Sequence, residues 1–207
     1  MAKNRNLSIL AQGASTAGIL GGTYGGTGAS ISPTTAGNTI FSTDGTNWSS
    51  TAKIVRGTAV ATTSGTAVDF TSIPSWVKRI TLMLQGVSLS GTANILFQLG
   101  TGGTPTTTGY VSGASSIGSG STASISSTSG IPIYLASAAV SVSGSISFFN
   151  LSSNIWTASG ISGYGGATGT ATSGGHVSLG GVLNIVRITT TNGTDTFDAG
   201  SVNILYE

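Results

Sequence analysis

Hydrophobic and polar positions alternate with a period of two along much of this chain. That is the period of a β-strand, whose successive side chains leave opposite faces. The signal is densest over residues 70–100, FTSIPSWVKRITLMLQGVSLSGTANILFQLG. Ile80, Leu82 and Leu84 alternate with Thr81, Met83 and Gln85; Ile95, Phe97 and Leu99 alternate with Asn94, Leu96 and Gln98. Between the two runs lies the turn-forming stretch SLSGT, residues 88–92, and the simplest expectation is a hairpin of two paired strands. Pro74 cannot donate to a ladder, so the first strand is expected to begin after it. Lys78 and Arg79 follow as adjacent charges, of which at least one must face solvent.

The cleanest half-buried strand is expected around residues 140–148. There Val140, Val142, Ile146 and Phe148 alternate with Ser141, Ser143, Ser145 and Ser147, and Gly144 breaks the pattern in the manner of a bulge. Ile155–Ser159 can pair back on it through Ser152-Ser153-Asn154. Ile131–Leu135 is a strand start whose Pro132 belongs at an edge. Further strands are expected at 59–61, 67–70, 176–179, 182–190, 194–197 and 201–206, with turns at Ser64-Gly65 and Asn192-Gly193. Residues 101–130 and 160–175, rich in Gly, Ser and Thr, are expected to be loops, the former with short edge strands. No segment carries a helical period with caps. Eight or more short strands separated by turn residues predict an all-β protein, an antiparallel β-sandwich of jelly-roll-like kind.

Composition divides the chain. Residues 11–32, AQGASTAGILGGTYGGTGASIS, show little periodicity and bury too little apolar area to fold alone. Residues 38–49, NTIFSTDGTNWS, place Asp44-Gly45 between Ile40, Phe41 and Trp48, the pattern of a hairpin. An isolated two-stranded hairpin is marginal in water and needs a neighbour. The expected division is therefore an extended Gly/Thr-rich N-terminal arm with a hairpin, residues 1–57, and a sandwich, residues 58–207. Ile40, Phe41 and Trp48 are the candidate attachment or oligomerisation residues of the arm.

Charge narrows the chemistry. Only 6% of residues are charged, and 7 Lys+Arg stand against 5 Asp+Glu. No cationic face for nucleic acid can be assembled from so few, despite a pI of 9.2. Hydrophobic residues reach 38%, so disorder driven by charge is not expected. Weak charge also gives little repulsion between copies, which suits an assembled state. No apolar run approaches the ~18 residues of a membrane helix. The patch after Lys3 and Arg5 is cut off by Gln12 and Gly13, short of a signal-peptide core. With no cysteine and one histidine, His176, neither a disulfide framework nor a three-ligand zinc site is expected. His176 reads as an exposed or edge residue at a strand start. Asp195 and Asp198 read as turn polarity rather than as the carboxylate pair of a glycosidase. GGTYGGTG, residues 21–28, lacks the GK[ST] ending of a P-loop. No catalytic residue, cofactor or metal is therefore expected. Aromatic residues can stack on sugar rings. Of these Tyr164, in the stretch GISGYGG, is the candidate for surface recognition.

Residues 21–28, GGTYGGTG, followed by residues 37–49, GNTIFSTDGTNWS, resemble the short repeats of phage tail-fibre proteins. Residues 70–84, FTSIPSWVKRITLML, and 186–207, VRITTTNGTDTFDAGSVNILYE, are similar to a β-rich domain of tail-fibre and virion proteins. The resemblance implies a structural component on the surface of a phage particle, made in the bacterial cytoplasm. It implies a homotrimer attached to other virion proteins through its N-terminus, and it implies no catalytic residues. A short tail fibre that contacts a host receptor or surface polysaccharide is the first expectation. A head fibre or capsid decoration protein is the alternative of the same class; a surface-polysaccharide depolymerase is the alternative of another.

Overall fold

The computed structural model describes residues 39–42, 48–51, 54–118, 121–135 and 137–207. The chain divides into two units, Met1–Ile54 and Val55–Glu207. In the first, β1 (Thr39–Ser42) and β2 (Trp48–Thr51) pair antiparallel, Thr39 opposite Thr51 and Ser42 opposite Trp48.

The second unit is an antiparallel β-sandwich. Its strands are β3 (Val55–Arg56), β4 (Val60–Ala61), β5 (Ala67–Thr71), β6 (Arg79–Leu89), β7 (Ile95–Thr101), β8 (Thr104–Pro105) and β9 (Val111–Gly118). They continue with β10 (Ser121–Ser127), β11 (Ile131–Ile133), β12 (Ser141–Ser152), β13 (Ile155–Gly165), β14 (Gly169–Ser178), β15 (Leu183–Thr190) and β16 (Phe197–Tyr206). One sheet has nine strands in the order β10-β9-β14-β13-β12-β6-β16-β3, with β4 also on β16. The other has five, β11-β7-β15-β5, with β8 on β7. Alternation produces the core: Ile80, Leu82, Leu84, Val142, Ile146 and Phe148 of the large sheet meet Phe97, Leu99, Val186 and Ile188 of the small one, all buried. Phe97 and Phe148 touch edge to face across the layers, ring centroids 6.3 Å apart.

The expected hairpin of residues 80–99 does not form. β6 pairs with β12 and β16, whereas β7 pairs with β15, β11 and β8 in the opposite sheet. The stretch between them crosses the sandwich and is tied to the chain before β16, through Ser90 N–H to Thr196 O and Ala93 N–H to the Asp195 carboxylate. The Asn192-Gly193 turn behaves alike. Gly193 takes a positive φ of 70°, and the Asn192 side-chain oxygen, Oδ1, accepts from Thr194 and Asp195 N–H at 3.0 Å each. The reversal links β15 to β16, which belong to different sheets. A turn signal specifies reversal and leaves the partner open.

The two Gly/Ser/Thr-rich stretches carry more strand than expected: β8 and β10 are edge strands, as expected within residues 101–130, but β9 lies inside its sheet, and β13 and β14 occupy most of residues 160–175, expected to be loop. β9 and β10 form a hairpin in continuous register from Gly118–Ser121 to Ser112–Ser127. β13 and β14 pair from Gly163–Thr170 to Ile155–Ser178. Small residues suffice for strands here because the ladder, rather than side-chain bulk, supplies the contacts. The Gly144 expectation holds: the register of β12 on β6 shifts between Val142 and Gly144. A Cβ at Gly144 would collide with the Ile161 carbonyl and lie 2.7 Å from Ser162 Cα, so the close approach requires glycine. Pro132 lies in β11, an outer strand of the small sheet, as its missing N–H demands.

Tyr110 fastens the two sheets together. On the side of β7 away from β15, β11 covers Ile95–Phe97 and β8 covers Gly100–Thr101. In the gap, Leu99 N–H donates to the Tyr110 hydroxyl at 2.7 Å, and that hydroxyl donates to Leu99 O at 3.1 Å. Tyr110 is fully buried and burial pushes its pKa up to about 12.

Candidate functional site

The outward face of the nine-stranded sheet carries rows of small polar side chains. Its alternate positions are read off the register. One row runs Ser124, Ser115, Thr172, Ile161, Ser145, Met83, Asn203; the next runs Ser126, Gly113, Gly174, Ser159, Ser147, Thr81, Leu205. Hydroxyls on neighbouring strands bond each other, Ser115 to Thr172 at 2.9 Å and Thr81 to Ser147 at 3.0 Å. The Ser143 hydroxyl accepts from Gly86 N–H at 2.9 Å. These bonds fix the hydroxyls and leave acceptor lone pairs turned to solvent.

Two shallow depressions interrupt this face. In one, Gly113 and Gly174 stand opposite each other on β9 and β14, and Ser115, Ser124 and Thr172 rise around them. The other lies between β12 and β13. Ser145, Ser147 and Ser159 line it, and Phe149 and Ile161, 39% and 61% exposed, form apolar rims. From β10 to β12 the outward positions carry no Asp, Glu, Lys or Arg; His176, exposed on β14 opposite Val111 and Thr157, is their only titratable group. Such a face can exchange neutral hydrogen bonds and offer apolar edges. It suits an uncharged polar ligand with an apolar side, such as a saccharide ring, or another flat sheet.

The residues singled out in the sequence fall elsewhere. Ile40 and Phe41 lie on β1, opposite Ser50 and Ser49, and Trp48 lies on β2, opposite Ser42; their side chains, and the Asp44-Gly45 turn, lie outside the described residues. Tyr164 is not on an exposed loop. It sits near the end of β13, half-buried against the core, and its hydroxyl donates to the Tyr134 carbonyl at 2.7 Å. Burial raises its pKa. The inward phase of β13, shared with Trp156 and Ala158, turns this ring away from the outer face. Of the sandwich's other aromatic side chains, Trp156 and Tyr110 are buried, and Trp76 is 47% exposed beside Tyr206, centroids 5.9 Å apart.

His176 lies well inside β14 rather than at a strand start. Asp195 accepts from Ala93 N–H at 2.9 Å, and bonds from the Asn192 side chain and this amide hold its carboxyl below the usual range. Asp198 bonds the Ser88 hydroxyl. Both carboxylates thus tie the start of β16 and the turn before it to the end of β6 and the stretch that follows it; Asp195 belongs to the turn region as expected, whereas Asp198 lies in the strand. Among the described residues no three His, Asp or Glu side chains cluster, and no helix is long and apolar enough to cross a membrane.

Phe149 and Ile161 escaped the sequence reading. The signal for Phe149 was present: it falls on the serine phase of the 140–148 alternation and therefore points outward. Ile161 lay in a stretch read as loop, where phase has no meaning. Comparison with protein families, with curated proteins and with solved structures finds no match for this chain.

Proposed function

We propose that this chain is a non-enzymatic structural protein of a phage particle, a short tail fibre. Its arm, residues 1–54, attaches it to other virion proteins and assembles it as a homotrimer; residues 55–57, expected to belong to the arm, pair with β16 and are part of the sandwich. Its sandwich points outward and meets the host surface. The observation that carries the reading is the broad outer face of β9, β10, β12, β13 and β14, rich in Ser, Thr and Gly, free of Asp, Glu, Lys and Arg and dotted with the exposed apolar side chains of Val111, Ile117, Phe149, Leu151 and Ile161. A face of this kind matches neutral host polysaccharide, whose rings present apolar sides between hydroxyl rims. The motif resemblance of residues 21–28 and 37–49 supports the attachment role of the arm. Both carboxylates nearest each other in sequence at the C-terminal end, Asp195 and Asp198, are engaged in hydrogen bonds within the sandwich, which favours a binding role over a glycosidase.

Gold-labelled antibody against the full-length protein, applied to purified particles, tests the placement. Label at the tail is the expected result. Label over the capsid would replace the tail fibre by a head fibre or decoration protein, and particles without label would end the virion reading.

A further inference from the structure

The two sheets of the sandwich end in edges of very different kinds. A bare edge exposes a row of unpaired N–H and C=O groups and invites another strand. The far end of the large sheet is blunted by brevity, since β3 and β4 have two residues each. On the small sheet, β11 has three residues including Pro132, and β8 is Thr104-Pro105. β5 carries Asp69, whose carboxylate takes two bonds of 2.7 Å from Arg187 on β15. Each of these devices discourages pairing.

β10 has none of them. Its seven residues, STASISS, include no charge and no proline, and they keep unbroken register with β9 from end to end. Among the described residues no strand pairs with its other side. Its sequence is also compatible with itself. Antiparallel pairing about Ser124 sets Thr122 opposite Ser126 and Ala123 opposite Ile125. Hydroxyl meets hydroxyl, and a small apolar residue meets a larger one. Pairing across a two-fold axis places like against like at the centre, so any charge there would oppose itself; β10 brings none.

We infer that β10 is an assembly edge, which pairs antiparallel with β10 of a second copy and continues the nine-stranded sheet into its partner. The hydroxyl faces of the two copies become one surface. This pairing is separate from assembly through the arm: it doubles the mass of the species the arm forms, the three edges of one trimer meeting those of a second about a common axis.

The absence of cysteine from the chain makes the test direct. Across such an axis the Cβ atoms of opposed residues lie about 4.5–5.5 Å apart, close enough for a disulfide after small adjustment. Ser124→Cys is introduced into the full-length protein, with Thr172→Cys, exposed on the same face but two strands inward, as the control. After mild oxidation, Ser124→Cys should give at least about tenfold more covalent dimer than the control, because the pairing raises the local thiol concentration. In sedimentation, Ser124→Lys should abolish the doubling and leave the arm-driven species intact. Mixing Ser124→Lys with Ser124→Glu should restore it. Equal cross-linking at positions 124 and 172, or a doubling unaffected by Ser124→Lys, would overturn the inference. Loss of the arm-driven species alone would count against the fibre assembly and not against this edge.

Discussion

Strands β6, β12 and β16 send Ile80, Leu82, Leu84, Val142, Ile146, Phe148, Val202 and Ile204 into the core. In the other half of the same sheet, β9, β13 and β14 fill most of the equivalent positions with Ala114, Ser116, Ala158, Ser162 and Ala171, with Trp156 and Val177 as larger residues at one end. Both halves obey one alternation and both sets are buried. They differ in volume. A buried Leu or Phe contributes about 1.5–3 kcal/mol relative to exposure, while Ala and Ser contribute little. The first half therefore holds the sandwich together through packing. The second half is held through its ladders and through Tyr110, which precedes β9 and bonds Leu99 of the opposite sheet. Small inward residues let β11 lie close over β9 and β14. The outer face of this half is the side on which we place recognition.

The contrast is broken most severely at Phe148. Phe148→Ala removes the ring that meets Phe97 and should cost about 3–5 kcal/mol in urea unfolding of the full-length protein. A cost under about 1 kcal/mol would mean that stability is not concentrated in the half bearing the large residues.

The link between the halves is tested at Tyr110. Tyr110→Phe leaves Leu99 N–H without its acceptor and should cost about 1–3 kcal/mol at neutral pH. It should also change the alkaline limb. The folded pKa is about 12 against an ordinary 10.0, so the folded state keeps a proton that the unfolded state gives up. The resulting stability is complete below pH 10 and is lost as pH rises through about 12, a total of about 2–3 kcal/mol. The decline between these limits should be shallower in Tyr110→Phe. Parallel curves for the two proteins would show that Tyr110 does not titrate in this way.

The smallest effect on stability is expected on the outer face. Phe149→Ser should change unfolding by no more than about 0.5 kcal/mol. It should nonetheless lower retention of the full-length protein on host cells or on their neutral polysaccharide. Unchanged retention would move recognition away from the Phe149–Ile161 depression.

Short stretches of residues suffice for the all-β class, the alternation that carries Leu82, Leu84, Phe97 and Phe148, the bulge at Gly144, the edge position of Pro132 and the turn at Asn192-Gly193. All of these follow from period, from a missing N–H or from a missing Cβ, which are properties of a few neighbouring residues. Pairing was decided by tertiary structure. Nothing between Leu84 and Ile95 states that β6 and β7 lie in opposite sheets, because a turn reverses the chain equally well within a sheet and across a sandwich. The strands of residues 111–127 and 160–175 were hidden for a related reason. Ser, Gly and Thr fit loop and ladder alike, and only the presence of β14 beside β9, or β12 beside β13, turns them into sheet. The outer face combines both limits. Its polar side chains come from strands far apart in sequence, such as Ser124 and Asn203, which are 79 positions apart, and register alone brings them into one row.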